Sequence, residues 1–243
     1  AYCDFLNSNG LKLGDEVDFA VPTGNFGDIL ACWYAKQMGL PVGKLICASN
    51  ENNVLADFFK TGTYDRNRAF HTTISPSMDI LVSSNLERLL YSVCGDDKLV
   101  AEYMRSLNKK GSYTVSDEIF KVLSDNFIGG FCTDADTKAT IANVYNEHGY
   151  LIDTHTAVAY KLMLEHKTDR PTVVVSTASP FKFCDSVLDA LGEKTDASGV
   201  ELIGKLASFA GIAAPAPLCG LDKRPVRFET VIEKQAMKQA VTD

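Results

Sequence analysis

A strand–turn–helix pattern over residues 17–39, VDFAVPTGNFGDILACWYAKQMG, constrains the fold more than any other part of the sequence. Alternate residues from Val17 to Val21 are apolar and β-prone, and Pro22 ends the strand. After the turn, apolar side chains recur at helical spacing until Gly39 and a nearby proline end the pattern. The sequence therefore predicts a strand that runs through a glycine-containing turn directly into a helix.

The turn between this strand and helix, residues 23–28, has the features of an anion-binding site. Gly24 and Gly27 permit backbone conformations with positive φ, and Asn25 tolerates them too. The first N–H groups of a helix lack partners within it and carry the positive end of its dipole, so several donors would converge on one point. A phosphate group would fit there, although an ordinary strand-to-helix connection fits the turn equally well. The sequence lacks the lysine of a Walker loop and the spacing of a dinucleotide fingerprint, which argues against both of those nucleotide sites.

A second strand and helix follow the first pair. Lys44 to Ser49, KLICAS, is typical of a strand, and apolar residues at helical spacing then run to Gly62. The order strand, helix, strand, helix predicts an α/β fold whose parallel sheet is flanked by helices, because parallel strands need crossover connections. Ligands of such sheets bind at the carboxyl ends of the strands, which is where the turn at residues 23–28 would lie.

Three further segments lead to structural expectations. Within the polar stretch 61–79 we expect a short strand at Phe70 to Ile74. Residues 172–176, TVVVS, have the continuous apolar character of a strand buried on both faces, so Thr177 would emerge at its end. The cluster Asn50 to Asn53 could cap the next helix or reach a ligand, and we favour capping because asparagine readily bonds to nearby backbone.

Three runs of residues resemble the threonine synthase family, whose members are pyridoxal-phosphate enzymes of the tryptophan-synthase-β-like fold. They are PTGNFGDILACWYAKQMGLPV at residues 22–42, SMDILVSSNLERLLY at residues 77–91 and STASPFKF at residues 176–183, in the family's order. The resemblance spans most of the chain and implies the same fold. All three runs belong to the second half of the family, and the chain opens with neither an initiator methionine nor a domain-starting pattern. It therefore resembles a C-terminal portion of the enzyme.

The resemblance also implies a cofactor site. The turn would hold the phosphate of pyridoxal phosphate through backbone N–H groups, and Thr177 would lie beside the pyridine nitrogen of the cofactor. A neutral hydroxyl there would not hold that nitrogen protonated and so would moderate the electron sink. The residues expected to bind the cofactor are Gly24, Asn25, Phe26, Gly27, Asp28 and Thr177.

Two more residues are candidates for substrate contact or catalysis. Asn85 is expected to face the substrate, although with Ser83 and Ser84 it could instead cap the helix that follows. His155 falls in the first turn of a helix that Asp153 or the next residue would cap. A histidine there is more often structural, but its titration range suits acid–base catalysis and the family has a similar segment near its active site. His155 is therefore a catalytic candidate.

Together with the resemblance, these residues imply a lyase that converts O-phosphohomoserine and water into threonine and phosphate, with pyridoxal phosphate as cofactor. The lysine that forms the Schiff base with the cofactor lies in the family's first half, and no counterpart of that segment occurs here. We therefore expect the missing N-terminal half as a partner and no activity from these 243 residues alone. The alternative is a non-catalytic phosphate-binding α/β module or a regulatory relative of the enzyme.

Composition argues against several other classes of function. A formal net charge of −7 without long runs of lysine or arginine argues against a nucleic-acid partner. The seven cysteines form no CxxC pair and are odd in number, as in the reduced core thiols of a cytoplasmic protein. The four histidines show no metal-ligand spacing, so no metal site is predicted. No apolar run reaches the length of a membrane span.

Changes of composition along the chain suggest three segments. Residues 1–95 carry the proposed phosphate turn, and the resemblance implies that they belong to the large cofactor domain. Residues 96–150 show charged amphipathic helical patterns with glycine-containing breaks, which predicts a helical insertion at the edge of the sheet. Residues 151–243 complete the cofactor domain and end in a polar helix predicted from Glu229 to Thr242.

Overall fold

The computed structural model describes residues 2–225, 227 and 229–242. The chain divides into two compact units, Ala1–Thr195 and Asp196–Asp243. The helices of the first unit are α1 (Tyr2–Asn9), α2 (Gly27–Gln37), α3 (Val54–Thr61), α4 (Leu86–Cys94), α5 (Asp97–Lys110), α6 (Asp117–Asn126), α7 (Asp134–His148), α8 (Thr154–Glu165) and α9 (Cys184–Ala190). Its strands are β1 (Val17–Pro22), β2 (Val42–Ser49), β3 (Thr63–Asp65), β4 (Ser112–Thr114), β5 (Phe127–Phe131) and β6 (Thr172–Val174).

The described part of the second unit contains α10 (Glu201–Ala210) and α11 (Met237–Thr242). The polar helix predicted from Glu229 therefore begins only at Met237, after a 3-10 turn at Lys234–Ala236. None of the helices described in either unit has the length and apolar character needed to cross a bilayer.

Four of the strands form one parallel sheet in the order β5-β2-β1-β6, and β3 pairs with β4 in a separate antiparallel ribbon. Because the four strands run in the same direction, their carboxyl ends lie at one edge of the sheet. The residues that end them are Pro22, Ser49, Phe131 and Val174. The predicted α/β class, with a parallel sheet flanked by helices, is confirmed.

The two faces of the sheet are packed with side chains of different size. On one face, Phe19 and Val21 of β1 belong to a cluster of large side chains that includes Trp33 of α2. On the other face, Ala20 packs with Leu162 of α8 in a cluster rich in alanine. Successive side chains of β1 point to opposite faces, and the small ones let α8 lie close to the sheet. Because α8 runs antiparallel to the strands in a right-handed crossover, its N-terminus reaches the carboxyl edge.

Residues 96–150, predicted as a helical insertion, contain α5, α6 and α7 and two strands as well. They contain β4 and also β5, which is a strand of the main sheet paired with β2. Strand β5 was not predicted because its sequence, FIGGF, contains two glycines, which are poor strand formers. A Cβ at Gly129 would lie 2.7 Å from the carbonyl oxygen of Ala56, so the close packing of α3 requires glycine at that position. The domain boundaries at residues 95 and 150 stay a prediction.

Two other predicted strands differ from the structure. Residues 70–74, although described, form no strand; the Thr73 N–H donates to the Asp79 carboxylate at 2.9 Å instead of joining a ladder. The strand at 172–176 is shorter than predicted, Thr172–Val174, and half-buried. It is the edge strand of the described sheet, so only one of its sides is paired.

Candidate active site

The residues predicted to form the site line a single cavity at the carboxyl edge of the sheet. The cavity has a volume of about 350 Å³. Its lining includes Gly24, Asn25, Phe26, Gly27, Asp28, Ser77, Met78, Asn85, His155, Thr177, Ala178 and Lys182. A larger cavity of about 600 Å³, between α2, α4 and α5, touches none of the strand ends. The fold thus brings together every predicted site residue in the position where a parallel sheet binds ligands.

The turn presents unpaired backbone donors to this cavity. Phe26 has φ 63°, in the left-handed region, and its buried ring stacks on Phe59 with centroids 5.9 Å apart. A left-handed residue before a helical one turns successive N–H groups toward one point. Within the described chain, the N–H groups of Thr23 and Leu30 are hydrogen-bonded, and those of residues 24–29 are not. Six consecutive backbone N–H groups thus have no partner in the described chain, and four of these residues, 24, 25, 27 and 28, are accessible to solvent, which suits an anion at the start of α2.

The positive φ expected at a glycine falls on Phe26 instead. Neither Gly24 nor Gly27 has a positive φ. Glycine is needed at position 24 for a different reason: a Cβ there would lie 2.9 Å from the Cα of Met78 and 2.9 Å from the carbonyl oxygen of Ser77. Both are backbone atoms that cannot swing away, so the turn can touch the loop at residues 77–78 only without a side chain.

Hydrogen bonds from the segment before α4 fix the turn through its oxygen atoms. The Ser83 hydroxyl donates to the carbonyl of Gly24 at 2.9 Å, and Asn85 Nδ2 donates to the carbonyl of Asn25 at 2.8 Å. The N–H and hydroxyl of Ser84 donate to Asn25 Oδ1 at 2.7 and 2.8 Å. The oxygens of Gly24 and Asn25 thus accept hydrogen bonds from the protein, whereas the N–H groups of the turn have no partner in the described chain.

This arrangement decides one of the alternatives for Asn85. The residue occupies the N-cap position of α4, but its side chain makes no capping bond. Its amide binds the turn instead, so the capping interpretation of the Asn85 side chain is wrong. Contact between Asn85 and a substrate stays a prediction, consistent with its place on the cavity wall.

His155 is buried at the start of α8 and uses both ring nitrogens. Its Nδ1 lies 3.2 Å from Asp153 Oδ1, and its Nε2 accepts a hydrogen bond from the Ser77 N–H at 3.2 Å. Asp153 caps α8, as predicted, by accepting from the N–H groups of His155 and Thr156. Burial raises the pKa of Asp153, but the hydrogen bonds from His155 and Thr156 outweigh it and hold the pKa below its usual value. Asp153 is therefore a carboxylate at neutral pH. A catalytic role for His155 stays a prediction.

The chain segment after β6 forms another wall of the cavity. Thr177 is exposed, and among the described residues its hydroxyl has no hydrogen-bond partner. Its neighbour Ser176 is bound to Thr156 of α8, with 3.1 Å between the hydroxyl oxygens. The free hydroxyl at the strand end is thus that of Thr177, the residue predicted to contact the cofactor.

Lys182 is a lining residue that the sequence analysis missed. Among the described lining residues it is the one lysine or arginine; it is exposed, with its Nζ 5.5 Å from the ring centroid of Phe183. No carboxylate of the described chain pairs with it. The sequence could have pointed to Lys182, because the residue lies inside the STASPFKF run that resembles the family. A single lysine in a sequence does not indicate a binding site by itself, and only the fold shows that this one lines a cavity.

Behind the wall at residues 77–78 lies a buried polar network. Asn50 Nδ2 donates to Thr73 Oγ1 at 2.9 Å and to Asp79 Oδ1 at 2.7 Å. The favoured interpretation, that the asparagine cluster caps α3, is wrong, because Asn53 at the N-cap position makes no side-chain capping bond. The cluster ties the loop at residues 73–79 to the carboxyl end of β2 instead, since a buried amide needs hydrogen-bond partners.

Known proteins resemble this chain in sequence and in structure. Residues 156–241 match the family described as threonine synthase, C-terminal. Threonine synthase-like 1 of Pongo abelii is 42% identical over 212 residues, which are 84% of this chain and 28% of that protein. Threonine synthase of Methylobacillus glycogenes is 39% identical over 236 residues, 94% of this chain and 46% of that protein. The crystal structure of PLP-bound threonine synthase from Brucella melitensis superposes with a TM-score of 0.84 at 37% identity, covering 99% of this chain and 48% of that one.

The chain belongs to the threonine synthase family. The predicted tryptophan-synthase-β-like fold is confirmed by the superposition, and the cofactor predicted from the sequence is the one bound in the Brucella threonine synthase. This chain spans less than half the length of the threonine synthase relatives described above.

Proposed function

We propose that this chain is part of a pyridoxal-phosphate-dependent threonine synthase, which converts O-phosphohomoserine and water into threonine and phosphate. The observation that carries the proposal is the row of free N–H groups at residues 24–29. Such a row binds a phosphate without a lysine, because the helix dipole and the converging donors supply the positive potential. The cofactor of the Brucella relative carries a phosphate of this kind.

Pyridoxal phosphate, when bound, supplies the electron sink for the reaction. The share of this chain is binding and orientation. The turn would hold the cofactor phosphate through backbone N–H groups. Asp28 would contribute its N–H and not its carboxylate, because like charges repel. The hydroxyl of Thr177 would donate to the pyridine nitrogen and leave it unprotonated. The residues assigned to the cofactor are Gly24, Asn25, Phe26, Gly27, Asp28 and Thr177.

Two residues of the cavity are proposed to meet the substrate. Asn85 is held by its Nδ2 bond to the turn, which leaves its Oδ1 as an acceptor for the substrate amine. Lys182 has no carboxylate partner among the described residues and would attract the substrate phosphate. The acidic chain thus keeps an unpaired cation where an anionic substrate would enter.

We also propose that a preceding half of the enzyme completes the site and supplies the lysine that links to the cofactor. The threonine synthases of Methylobacillus and Brucella are about twice as long as this chain. The outer side of β6 is unpaired within the described sheet, directly before the exposed Thr177. A strand from the other half would satisfy this edge, since unpaired strand edges are otherwise sites of unwanted association.

The cysteines support a cytoplasmic location, which is part of the proposal. All seven are free thiols. Burial raises the pKa of Cys47, beneath the turn, to about 12, and a weaker contribution from Thr23 lowers it. A thiol of that kind is neither a nucleophile nor easily oxidised, as expected of a core residue in a reducing compartment.

A second candidate function is that of a non-catalytic relative. It is favoured by one observation, that a protein named threonine synthase-like 1 matches this chain at 42% identity. The same phosphate turn would then bind a ligand without turnover.

One experiment separates these functions. The protein expressed from the complete reading frame and the 243-residue chain are each titrated with pyridoxal phosphate by absorption and then assayed for threonine formation from O-phosphohomoserine. We expect threonine only from the complete protein. Cofactor binding without turnover by the complete protein would favour the non-catalytic relative, and absence of cofactor binding would contradict the proposal. Threonine formation by the 243 residues alone would contradict the need for a second half.

A further inference from the structure

Asp153 stands at the centre of a buried set of hydrogen bonds, the Asp153 hub, at the N-terminus of α8. The residue is 1% exposed, and its two oxygens bind different groups. Oδ1 accepts from the N–H groups of His155 and Thr156 at 2.8 and 3.3 Å and lies 3.2 Å from His155 Nδ1. Oδ2 accepts from the Thr156 hydroxyl. A carboxylate surrounded in this way is fixed in one orientation, and it fixes its partners in turn.

The first arm of the hub runs through His155 to the turn. An ionised Asp153 places the ring proton on Nδ1, which leaves Nε2 as an acceptor. Nε2 accepts the Ser77 N–H at 3.2 Å. This bond holds Ser77 and Met78 where they touch Gly24, at the approach that leaves no room for a Cβ. The tautomer of His155 is therefore coupled to the position of the phosphate turn.

The second arm runs through Thr156 to the strand end. The Thr156 hydroxyl has one proton, and the carboxylate of Asp153 is the strongest acceptor near it, so the proton points to Asp153. The oxygen of that hydroxyl also lies 3.1 Å from Ser176 Oγ, which extends this set of hydrogen bonds to the strand end. Ser176 immediately precedes Thr177. The hub thus reaches the wall that presents the Thr177 hydroxyl to the cavity.

We propose that Asp153 is a positioning residue that sets the phosphate turn and Thr177 at the separation their ligand requires, acting through His155 on one side and Thr156 on the other. The inference rests on the proposed function, because the two walls then hold opposite ends of one cofactor. His155 is a positioning residue too. It is 3% exposed and both its ring nitrogens have protein partners, so neither is free to exchange a proton with substrate.

Two substitutions of His155 separate positioning from acid–base catalysis. In His155→Gln the amide oxygen reaches the place of Nε2 and can accept the Ser77 N–H, whereas the shorter side chain of His155→Asn reaches only Asp153. Both are made in the complete protein. We measure three properties: hydrogen–deuterium exchange of the peptide at residues 75–79 without cofactor, cofactor affinity by absorption titration, and turnover by threonine formation.

If His155 is a positioning residue, only His155→Asn should differ from the wild type in exchange and in cofactor affinity. Exchange at residues 75–79 should be faster in His155→Asn, and its affinity for pyridoxal phosphate should fall about tenfold, the effect of one lost buried hydrogen bond. His155→Gln should behave like the wild type in both measurements, because an amide oxygen accepts the Ser77 N–H without a carboxylate to fix a tautomer. Acid–base catalysis predicts that both variants lose turnover alike with wild-type exchange and affinity, and that result overturns the proposal. Two variants indistinguishable from the wild type overturn it as well.

A matched pair of helix caps tests the hub itself. Asp96 caps α5, away from the cavity, by accepting from the N–H groups of Lys98 and Leu99. Serine is as good an N-cap as aspartate, so Asp153→Ser and Asp96→Ser both keep their helices capped. Serine at 153 is too short to reach His155 Nδ1. We expect Asp153→Ser to weaken cofactor binding about tenfold or more and to speed exchange at residues 75–79 and 174–178.

The remaining outcomes of this test are also informative. Asp96→Ser should change neither measurement, and the same lack of effect in Asp153→Ser would overturn the proposal. If Asp153→Ser does not fold, Thr156→Val removes the second arm alone, and faster exchange confined to residues 174–178 is expected; unchanged exchange there would refute that arm. A wild-type protein that binds no pyridoxal phosphate would refute the proposed function, while exchange in the unliganded variants would still support or overturn the hub.

Discussion

The polar groups at the two ends of β1 differ in whether they are hydrogen-bonded within the protein. At the amino end the carboxylate of Asp18 is completely buried and accepts from the Lys44 N–H at 2.6 Å, the Thr168 hydroxyl at 2.6 Å and Arg170 Nε at 2.7 Å. At the carboxyl end, six consecutive backbone donors at residues 24–29 have no partner in the described chain. One end is saturated with hydrogen bonds, and the other keeps its donors free.

The difference follows from what each end must do. A buried charge without partners would cost several kcal/mol, so Asp18 can lie inside only because three donors, one of them a guanidinium, bind its carboxylate. Four of the six residues that carry the donors of the turn, 24, 25, 27 and 28, are accessible to solvent at the cavity, where water can satisfy their N–H groups until an anion replaces it. Polar groups at the amino end therefore serve stability, and those at the carboxyl end serve binding. Substitutions at the two ends should separate the two properties.

The largest expected effect is on stability, at the saturated end. Asp18→Ala leaves the guanidinium of Arg170 and the Lys44 N–H without their acceptor and should lower the free energy of unfolding by about 3 kcal/mol or more. The matched control is Asp57→Ala, which breaks a partly exposed aspartate–arginine pair with Arg68 (2.7 Å) and should cost about 1 kcal/mol or less. Urea unfolding gives both values. Equal losses of unfolding free energy in the two variants would show that the buried hydrogen bonds of Asp18 contribute no more stability than a surface ion pair.

The next effect is on binding, at the open end. Gly24→Val drives a side chain into the backbone of Ser77 and Met78, and should weaken pyridoxal-phosphate binding roughly 10- to 100-fold, in line with overpacking costs of about 1–3 kcal/mol. Gly204→Val in α10 is the control, because no atom lies within 4 Å of a Cβ there. Absorption titration measures the affinity. Wild-type cofactor occupancy in the Gly24 variant would remove the turn from the binding site.

A smaller change is expected at Thr177, which contributes a side chain rather than the backbone. Thr177→Val keeps the shape but removes the hydroxyl, so folding should be unaffected and turnover should fall about tenfold. Thr177→Ser restores the hydroxyl and should recover most of the turnover. Thr177→Asp should shift cofactor absorption, because a carboxylate would hold the pyridine nitrogen protonated. Normal turnover and absorption in Thr177→Val would contradict the assigned contact.

The open end of β1 could be predicted from sequence, and what surrounds it could not. Strand, turn and helix over residues 17–39 are contiguous, so local periodicity and glycine placement were enough to locate them. The bond from Ser77 to His155 joins residues 78 positions apart, and no local pattern encodes it. The same is true of Asn50, whose partners lie 23 to 29 positions away. The capping interpretation of the asparagine cluster was wrong because it considered only neighbours in the sequence.

The sheet itself shows the same division between local and tertiary information. Strand β1 was found because its residues are apolar and β-prone, whereas β5 is a strand that tertiary packing imposes on a glycine pair. Thr177 was predicted from a strand thought to be buried on both faces, and the structure places it after a half-buried edge strand. The position of the residue was right, although the burial that suggested it was not.

The smallest effect expected is a pH dependence at the carboxyl end, where Asp153 has a pKa lowered from 3.8 in the folded protein. A carboxyl group whose folded pKa is depressed contributes stability that is complete above its unfolded pKa and is lost as the pH falls through the folded value. The difference in unfolding free energy between the wild type and Asp153→Ser should thus be constant from about pH 5 to pH 7 and shrink only below about pH 4. Because serine caps α8 at every pH, this difference isolates the carboxylate. Cofactor affinity should show the same plateau, since an ionised Asp153 keeps its hydrogen bonds to His155 and Thr156. A difference that instead shrinks between pH 5 and pH 7 would mean that a histidine, not the carboxylate, controls this end of the sheet.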